Sequence, residues 1–279
     1  MMSNFPMTVV GGVSISRMIA GTNWMLGYSH TSQAKDRFIK DYQTRDRIAA
    51  ILQVFLNHGV NAVMGMPVPL LHEAIRMAQD KTGLEMRLIA TPHFNILPGG
   101  PAESEPERVF DECRRLGATF CFPHQCVTDK IIDLMTGQFR GLDRYTKMIR
   151  ERGMVPGLSS HMPETPVVAD KSGADVETYI QIYNAAGFLM HVEVDWVMRI
   201  IKEAKKPVMT IKPMAAGRLL PPVGLAFVWN TIRDQDMVTV GTSTPDEAKE
   251  CVELSLDFLN RRLPDNPLQK TRSKQTLAR

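Results

Sequence analysis

The chain has 279 residues, of which 44% are apolar and 23% charged, with a net charge of +3. That is enough chain to bury a large core without disulfide or metal staples. So small a charge excludes an electrostatic nucleic-acid footprint, and no run reaches the roughly 18 apolar residues that a membrane span needs. Neither a nucleic-acid nor a membrane partner is expected, and the partner that goes with the fold read below is a small-molecule substrate. The cysteines Cys113, Cys121, Cys126 and Cys251 form no CxxC pair. With no signal-like apolar core at the N-terminus, they predict a cytoplasmic protein with free thiols.

In chain order, Thr8-Val9-Val10 and Val13-Ser14-Ile15 flank Gly11-Gly12 and read as a hairpin that plugs one mouth of a barrel. A first strand is expected near 15–20, and a polar loop over 29–42. Thr44 then caps a helix whose Ile48, Ile51, Leu52 and Phe55 share a face. A rhythm follows: a helical pattern ends on Gly or Pro and a short apolar run begins. Gly59, Gly117 and Gly153 each end a helix, as Gly does in the left-handed conformation. Further strands are expected near 60–65, 87–91, 118–122, 154–158, 178–182, 207–212 and 237–241. Ser104-Glu105-Pro106-Glu107 reads as a capping box, and Val197, Ile200, Ile201 and Ala204 as a helix stripe. Thr244-Pro245-Asp246-Glu247 opens the last helix.

Strand then helix, repeated eight times, predicts an α/β fold: a (β/α)8 TIM barrel with a short N-terminal β-hairpin. An open doubly wound sheet is the alternative, but its GxGxxG marker is absent. The barrel is expected over residues 1–262, with a basic tail over 263–279 that contains Pro264 and Pro267.

In such barrels the chemistry sits where the strands end. His93, His124 and His161 fall at three successive strand ends. Neighbouring strands lie about 5 Å apart, so the three imidazoles could converge on a divalent metal such as zinc. Cys126, Glu164 and Glu193 follow as further ligands or bases. The other reading makes His124 and His161 metal-free acid–base groups. His58 and His72 read as structural, while His30 and His191 border the mouth. Gly217, Arg218, Gly241, Thr242, Ser243 and Thr244 form loops before a helix N-terminus, where free N–H groups suit an anion such as a phosphorylated substrate.

Several segments, taken in order, carry a resemblance. The hairpin followed by Ser16-Arg17-Met18-Ile19-Ala20-Gly21-Thr22, then Gly59-Val60-Asn61, then Lys212-Pro213-Met214-Ala215-Ala216-Gly217-Arg218-Leu219, and finally Val238-Thr239-Val240-Gly241-Thr242-Ser243-Thr244-Pro245 resemble the aldo/keto reductase superfamily. The resemblance implies NADP(H) held by Lys212 and the loops after strands seven and eight. It also implies a catalytic Tyr, Lys, Asp and His. Met64 stands at the Asp position, Val68 to His72 hold no Tyr, and Pro92 stands where the Lys belongs. Only the His has a counterpart, in His124. Tyr28 is the one phenol near the mouth that could replace the missing acid. Three readings stay open: a diverged enzyme working through the His cluster, an NADP(H)-dependent oxidoreductase with a rearranged proton donor, and an inactive ligand-binding barrel.

Overall fold

The computed structural model describes residues 4–96 and 105–264. Eight parallel strand positions form a ring. In chain order they are β1 (Met18–Gly21), β2 (Ala62–Gly65), β3 (Arg87–Ala90), β4 (Ala118–Cys121), β5 (Val155–Pro156 and Leu158–Ser159), β6 (Tyr179–Ile182), β7 (Val208–Ile211) and β8 (Met237–Gly241). One half of β5 pairs with β4, the other half pairs with β6, and β8 pairs with β1. The ring therefore closes through Gly157, and the eight-stranded barrel expectation holds.

Side chains alternate between two cores, as the period-2 geometry of a strand requires. Ile19, Met64, Ile89, Phe120, Ile180, Met209 and Met237 fill the barrel interior. Their neighbours Met18, Val63, Leu88, Tyr179, Val208 and Val238 face the helix layer outside. The hairpin Met7–Val10 with Val13–Ser16 plugs the N-terminal mouth as expected. Its turn uses Gly11 and Gly12 at φ 55° and 79°. Val10 and Ile15 press into the interior core, each burial stabilising by about 1.5–3 kcal/mol.

The first expected strand is two elements. Residues 13–16 belong to the hairpin and β1 starts at Met18, because the chain turns at Arg17. There the Ser16 hydroxyl donates to Met18 O at 2.6 Å and the Arg17 N–H donates to Pro6 O at 2.8 Å. The expected loop over 29–42 is also corrected. Residues Gln33–Tyr42 form a helix, capped by Ser32 Oγ accepting from the Lys35 N–H, with Ile39 buried. Thr44 and Thr244 cap their helices as read from the sequence. The helix Pro106–Arg115 starts with Glu105 at its N-cap and no side-chain cap bond, and Ser104 lies outside the described residues. So does the tail from residue 265 onward. Among the described residues, no helix is long and apolar enough to cross a membrane.

Gly157 has a steric reason to be glycine. A Cβ there would lie 2.5 Å from the ring of Phe122, which is itself fully buried in the barrel interior. Gly157→Ala should overpack the closure point and cost about 1–3 kcal/mol, read as a lower urea midpoint at unchanged m-value. An unchanged midpoint would mean that the Phe122 ring yields at no cost.

Candidate active site

The C-terminal mouth opens into one cavity of about 740 Å³. The loops gather the expected residues there: Tyr28, His93, His124, His161, Lys212, Gly217, Gly241, Thr242 and Ser243 all line it. So does Met64, at the end of β2, where the resemblance would place an Asp. Two expected residues are turned elsewhere. Arg218 stacks its guanidinium over the Phe188 ring at 4.0 Å and donates to Ala215 O. Thr244 is spent on its helix, accepting from the Glu247 N–H at 3.2 Å.

His124 is the N-cap of the helix Gln125–Ile131. The Cys126 N–H donates to its Nδ1 at 3.3 Å, and the Cys126 Sγ lies 3.2 Å from the same nitrogen. Nδ1 is therefore the acceptor, and the neutral ring carries its proton on Nε2. Its own N–H bonds to Pro92 O at 2.8 Å, which ties the loops after β3 and β4 together. Burial, then His93 and Lys212, hold the His124 pKa below the ordinary imidazole range. Burial also raises the Cys126 thiol.

His161 follows β5 on a braced loop. The Ser160 hydroxyl donates to Asp129 Oδ1 at 2.5 Å, and the His161 N–H donates to Asp129 Oδ2 at 3.4 Å. Asp129 belongs to the helix that His124 caps, so one short helix positions both imidazoles. Burial pushes the Asp129 carboxyl up. Burial, with Lys212 and His124 adding to it, pulls His161 down to about 3. Both rings are neutral at neutral pH.

The sequence reading underweighted His30. It sits in a left-handed turn at φ 57°, lines the cavity, and places Nε2 at 3.3 Å from Lys212 Nζ and 3.1 Å from Asn23 Nδ2. Lys212 also has a left-handed backbone, at φ 61°, which swings its side chain into the mouth. Burial lowers its amine to about 8. The signal was a His after β1 and a Lys after β7, strands that only β8 separates in the ring, but the two residues are 182 apart in sequence.

The expected three-histidine metal centre is not formed. His93 is exposed at the rim, and the His124 Nδ1 is occupied by the Cys126 N–H. Among the described residues, no group of three His, Cys, Asp or Glu is placed to hold a metal ion. Glu193 is an exposed helix N-cap, and Glu164 is a helix residue with a buried, unpartnered Oε2. Tyr28 lies at the rim, 47% exposed, with the Lys40 ammonium 5.7 Å from its ring centre. His58 and His72 bond backbone oxygens of Val54 and Leu116, as structural histidines do.

The last helix does not offer the phosphate seat expected of it. The Glu247 carboxylate accepts from the Ser243 N–H at 2.6 Å and so fills the helix N-terminus with its own negative charge. Glu247 and Glu250 both line that side of the cavity, while Lys249 points to Glu253. These residues do not fit the 2′-phosphate of NADP(H), nor a phosphorylated substrate at this end. Two buried hydroxyls in the wall, Thr239 Oγ1 and Thr242 Oγ1, have no hydrogen-bond partner among the described residues.

Comparison with solved structures shows the same barrel. A protein from Pseudomonas aeruginosa assigned as an aldo-keto reductase superimposes with a TM-score of 0.64 at 15% identity, over 91% of this chain and 94% of its own. An aldo/keto reductase from Brucella melitensis gives 0.60 at 14% identity, over 95% of each chain. One from Klebsiella pneumoniae, solved with NADP and acetate, gives 0.55 at 16% identity, over 92% and 91%. No family sequence model and no curated protein sequence matches the chain. The fold is thus that of the aldo/keto reductases.

Proposed function

We propose that this mouth is a general acid–base site acting on a small carbonyl compound, with His124 and His161 as the proton-moving groups. The observation that carries this reading is the pair of neutral imidazoles held by one helix on the wall of one cavity. A neutral imidazole can take a proton from the carbon beside a carbonyl, and its conjugate acid can return it elsewhere. Such transfers underlie isomerisation and lyase chemistry. Met64 and Pro92, at the Asp and Lys positions of a reductase, cannot tune a phenol for hydride chemistry.

An oxidoreductase reading stands second. The likeness in fold and the two unpartnered threonine hydroxyls support it. The carboxylates of Glu247 and Glu250 count against NADP(H).

The test is solvent deuterium exchange into hydroxyacetone, pyruvate and acetoacetate, followed by proton NMR. Exchange above the buffer rate is expected, falling in His124→Gln and in His161→Gln. Wild-type protein that exchanges none of them would overturn the acid–base reading. Saturable quenching of Trp24, which lines the cavity, by NADPH would then promote the second.

A further inference from the structure

We infer that Lys212 forms a Schiff base with an aldehyde or ketone bound in the mouth, with His30 as the base that frees its amine. This deepens the acid–base reading and rests on it for the proton steps.

Four observations support it. Lys212 follows β7, and its Nζ lies in a cavity walled by Trp24, Met64, Ile180 and Ile211. Among the described residues it makes no ion pair, although Glu247 and Glu250 line the same cavity. A lysine whose role was to hold charge would be expected to meet a carboxylate. Its near neighbour is instead the neutral base His30, at 3.3 Å. The Asn23 amide also points at the His30 Nε2, so that nitrogen is an acceptor and faces the ammonium protons. Lastly, Thr239 is the strand partner of Ile211, the residue before Lys212, and its hydroxyl is buried in the cavity wall with no partner among the described residues. A carbonyl compound bearing a second polar group would supply the missing partner.

The chemistry balances without an oxidant or reductant. His30 Nε2 takes a proton from the ammonium. The nitrogen lone pair attacks the carbonyl carbon, an N–C bond forms, and the oxygen gains a proton to give a carbinolamine. The proton that His30 took, relayed through His124, is delivered to that hydroxyl, water leaves, and a C=N bond remains. Lys212 is drawn down to about 8 by burial, so roughly a tenth of it is free amine at pH 7 before His30 acts.

The probe is pentane-2,4-dione, whose imine with an amine rearranges to a stable conjugated enaminone. That product is detected by its near-ultraviolet absorbance and located by peptide mass spectrometry. Wild-type protein is expected to take one equivalent rapidly, at Lys212, at least tenfold faster than surface lysines such as Lys147. Lys212→Arg should lose this phase while keeping the wild-type melting curve, and His30→Gln should slow it several-fold. Labelling of Lys212 at the surface-lysine rate, or an undiminished fast phase in Lys212→Arg, would overturn the inference. Slow labelling with His124-dependent deuterium exchange intact would sink the Schiff base and leave the acid–base reading standing. Fast labelling without exchange would do the reverse.

Discussion

Asp236→Ala is expected to remove about 3–5 kcal/mol of stability, among the largest losses available to one side chain outside the hydrophobic core. Asp236 is fully buried at the start of β8. Its Oδ1 accepts from the Val208 N–H at 2.9 Å and from the Arg233 guanidinium at 2.7 Å. Its Oδ2 accepts from the Arg233 N–H and Nε at 2.9 and 2.8 Å. The carboxylate thus joins β7 to the turn before β8. Arg233 in turn donates to Lys206 O at 2.9 Å and to Ala204 O beyond the helix Val194–Glu203. Truncation leaves two backbone N–H groups, of Val208 and Arg233, and part of a guanidinium with no acceptor, and an uncompensated charge costs more than the pair was worth. Asp236→Asn keeps one acceptor oxygen but turns an amide N–H toward the arginine, so it should recover only part of the loss. Both variants belong to the barrel end opposite the cavity. Fast labelling of Lys212 should therefore survive wherever the variant is folded. Urea unfolding measures the loss, and a value under about 1 kcal/mol would show that water replaces the carboxylate.

Legibility in the sequence followed what is local. Gly59, Gly117 and Gly153 end their helices at φ 80°, 79° and 70°, and each is followed by a strand where the apolar run predicted one. Such signals need only a few neighbours, so eight strand positions could be placed. The break at Arg17 could not, because the apolar run Met18-Ile19-Ala20 follows the alternating residues 13–16 with only one residue between them. Only pairing with two different partners, the hairpin arm and β8, splits the segment. The helix Gln33–Tyr42 was hidden because it buries Ile39 while exposing Phe38 and Tyr42. Its one clear marker was Ser32 at the cap.

The site divides in the same way. Barrel geometry sends every strand end to one mouth, so His93, His124 and His161 could be assigned there from position alone. What each ring does depends on contacts set by folded loops. Cys126 turns the His124 Nδ1 into an acceptor, and Asp129 braces the loop of His161. Convergence on a metal requires all three rings to point at one place, and strand position carries no information on that. Two left-handed residues, His30 and Lys212, bring reactive side chains from the ends of β1 and β7 within 3.3 Å of each other. Positive φ at a non-glycine residue is uncommon and is not written in composition or periodicity.

The neutral imidazoles give the protein an acid-sensitive core at its mouth. His161 titrates at about 3 in the folded chain, with Lys212, His124, His30 and His191 all opposing its charge. In the unfolded chain its value returns to about 6.5. Between those values the unfolded state binds more protons, so acid favours unfolding. The stability in question is complete above about pH 6.5 and drains as pH falls toward 3. At about 1.4 kcal/mol per unit, moving from pH 7 to pH 4.5 would cost about 2.7 kcal/mol in a fully buried setting. Water reaches one side of this half-buried ring, which reduces the expected loss to about 2 kcal/mol. His30 and His124 are also lowered by burial, so they add losses of the same sign. Carboxylates elsewhere contribute equally to wild type and to His161→Gln, so the comparison isolates the ring. Urea midpoints at the two pH values should show the variant losing about 2 kcal/mol less than wild type. Equal losses would mean that His161 accepts a proton in the folded cavity at ordinary cost. Its folded value would then lie near about 6.5, where the ring is still mostly neutral at pH 7 and is a stronger base than one held near 3.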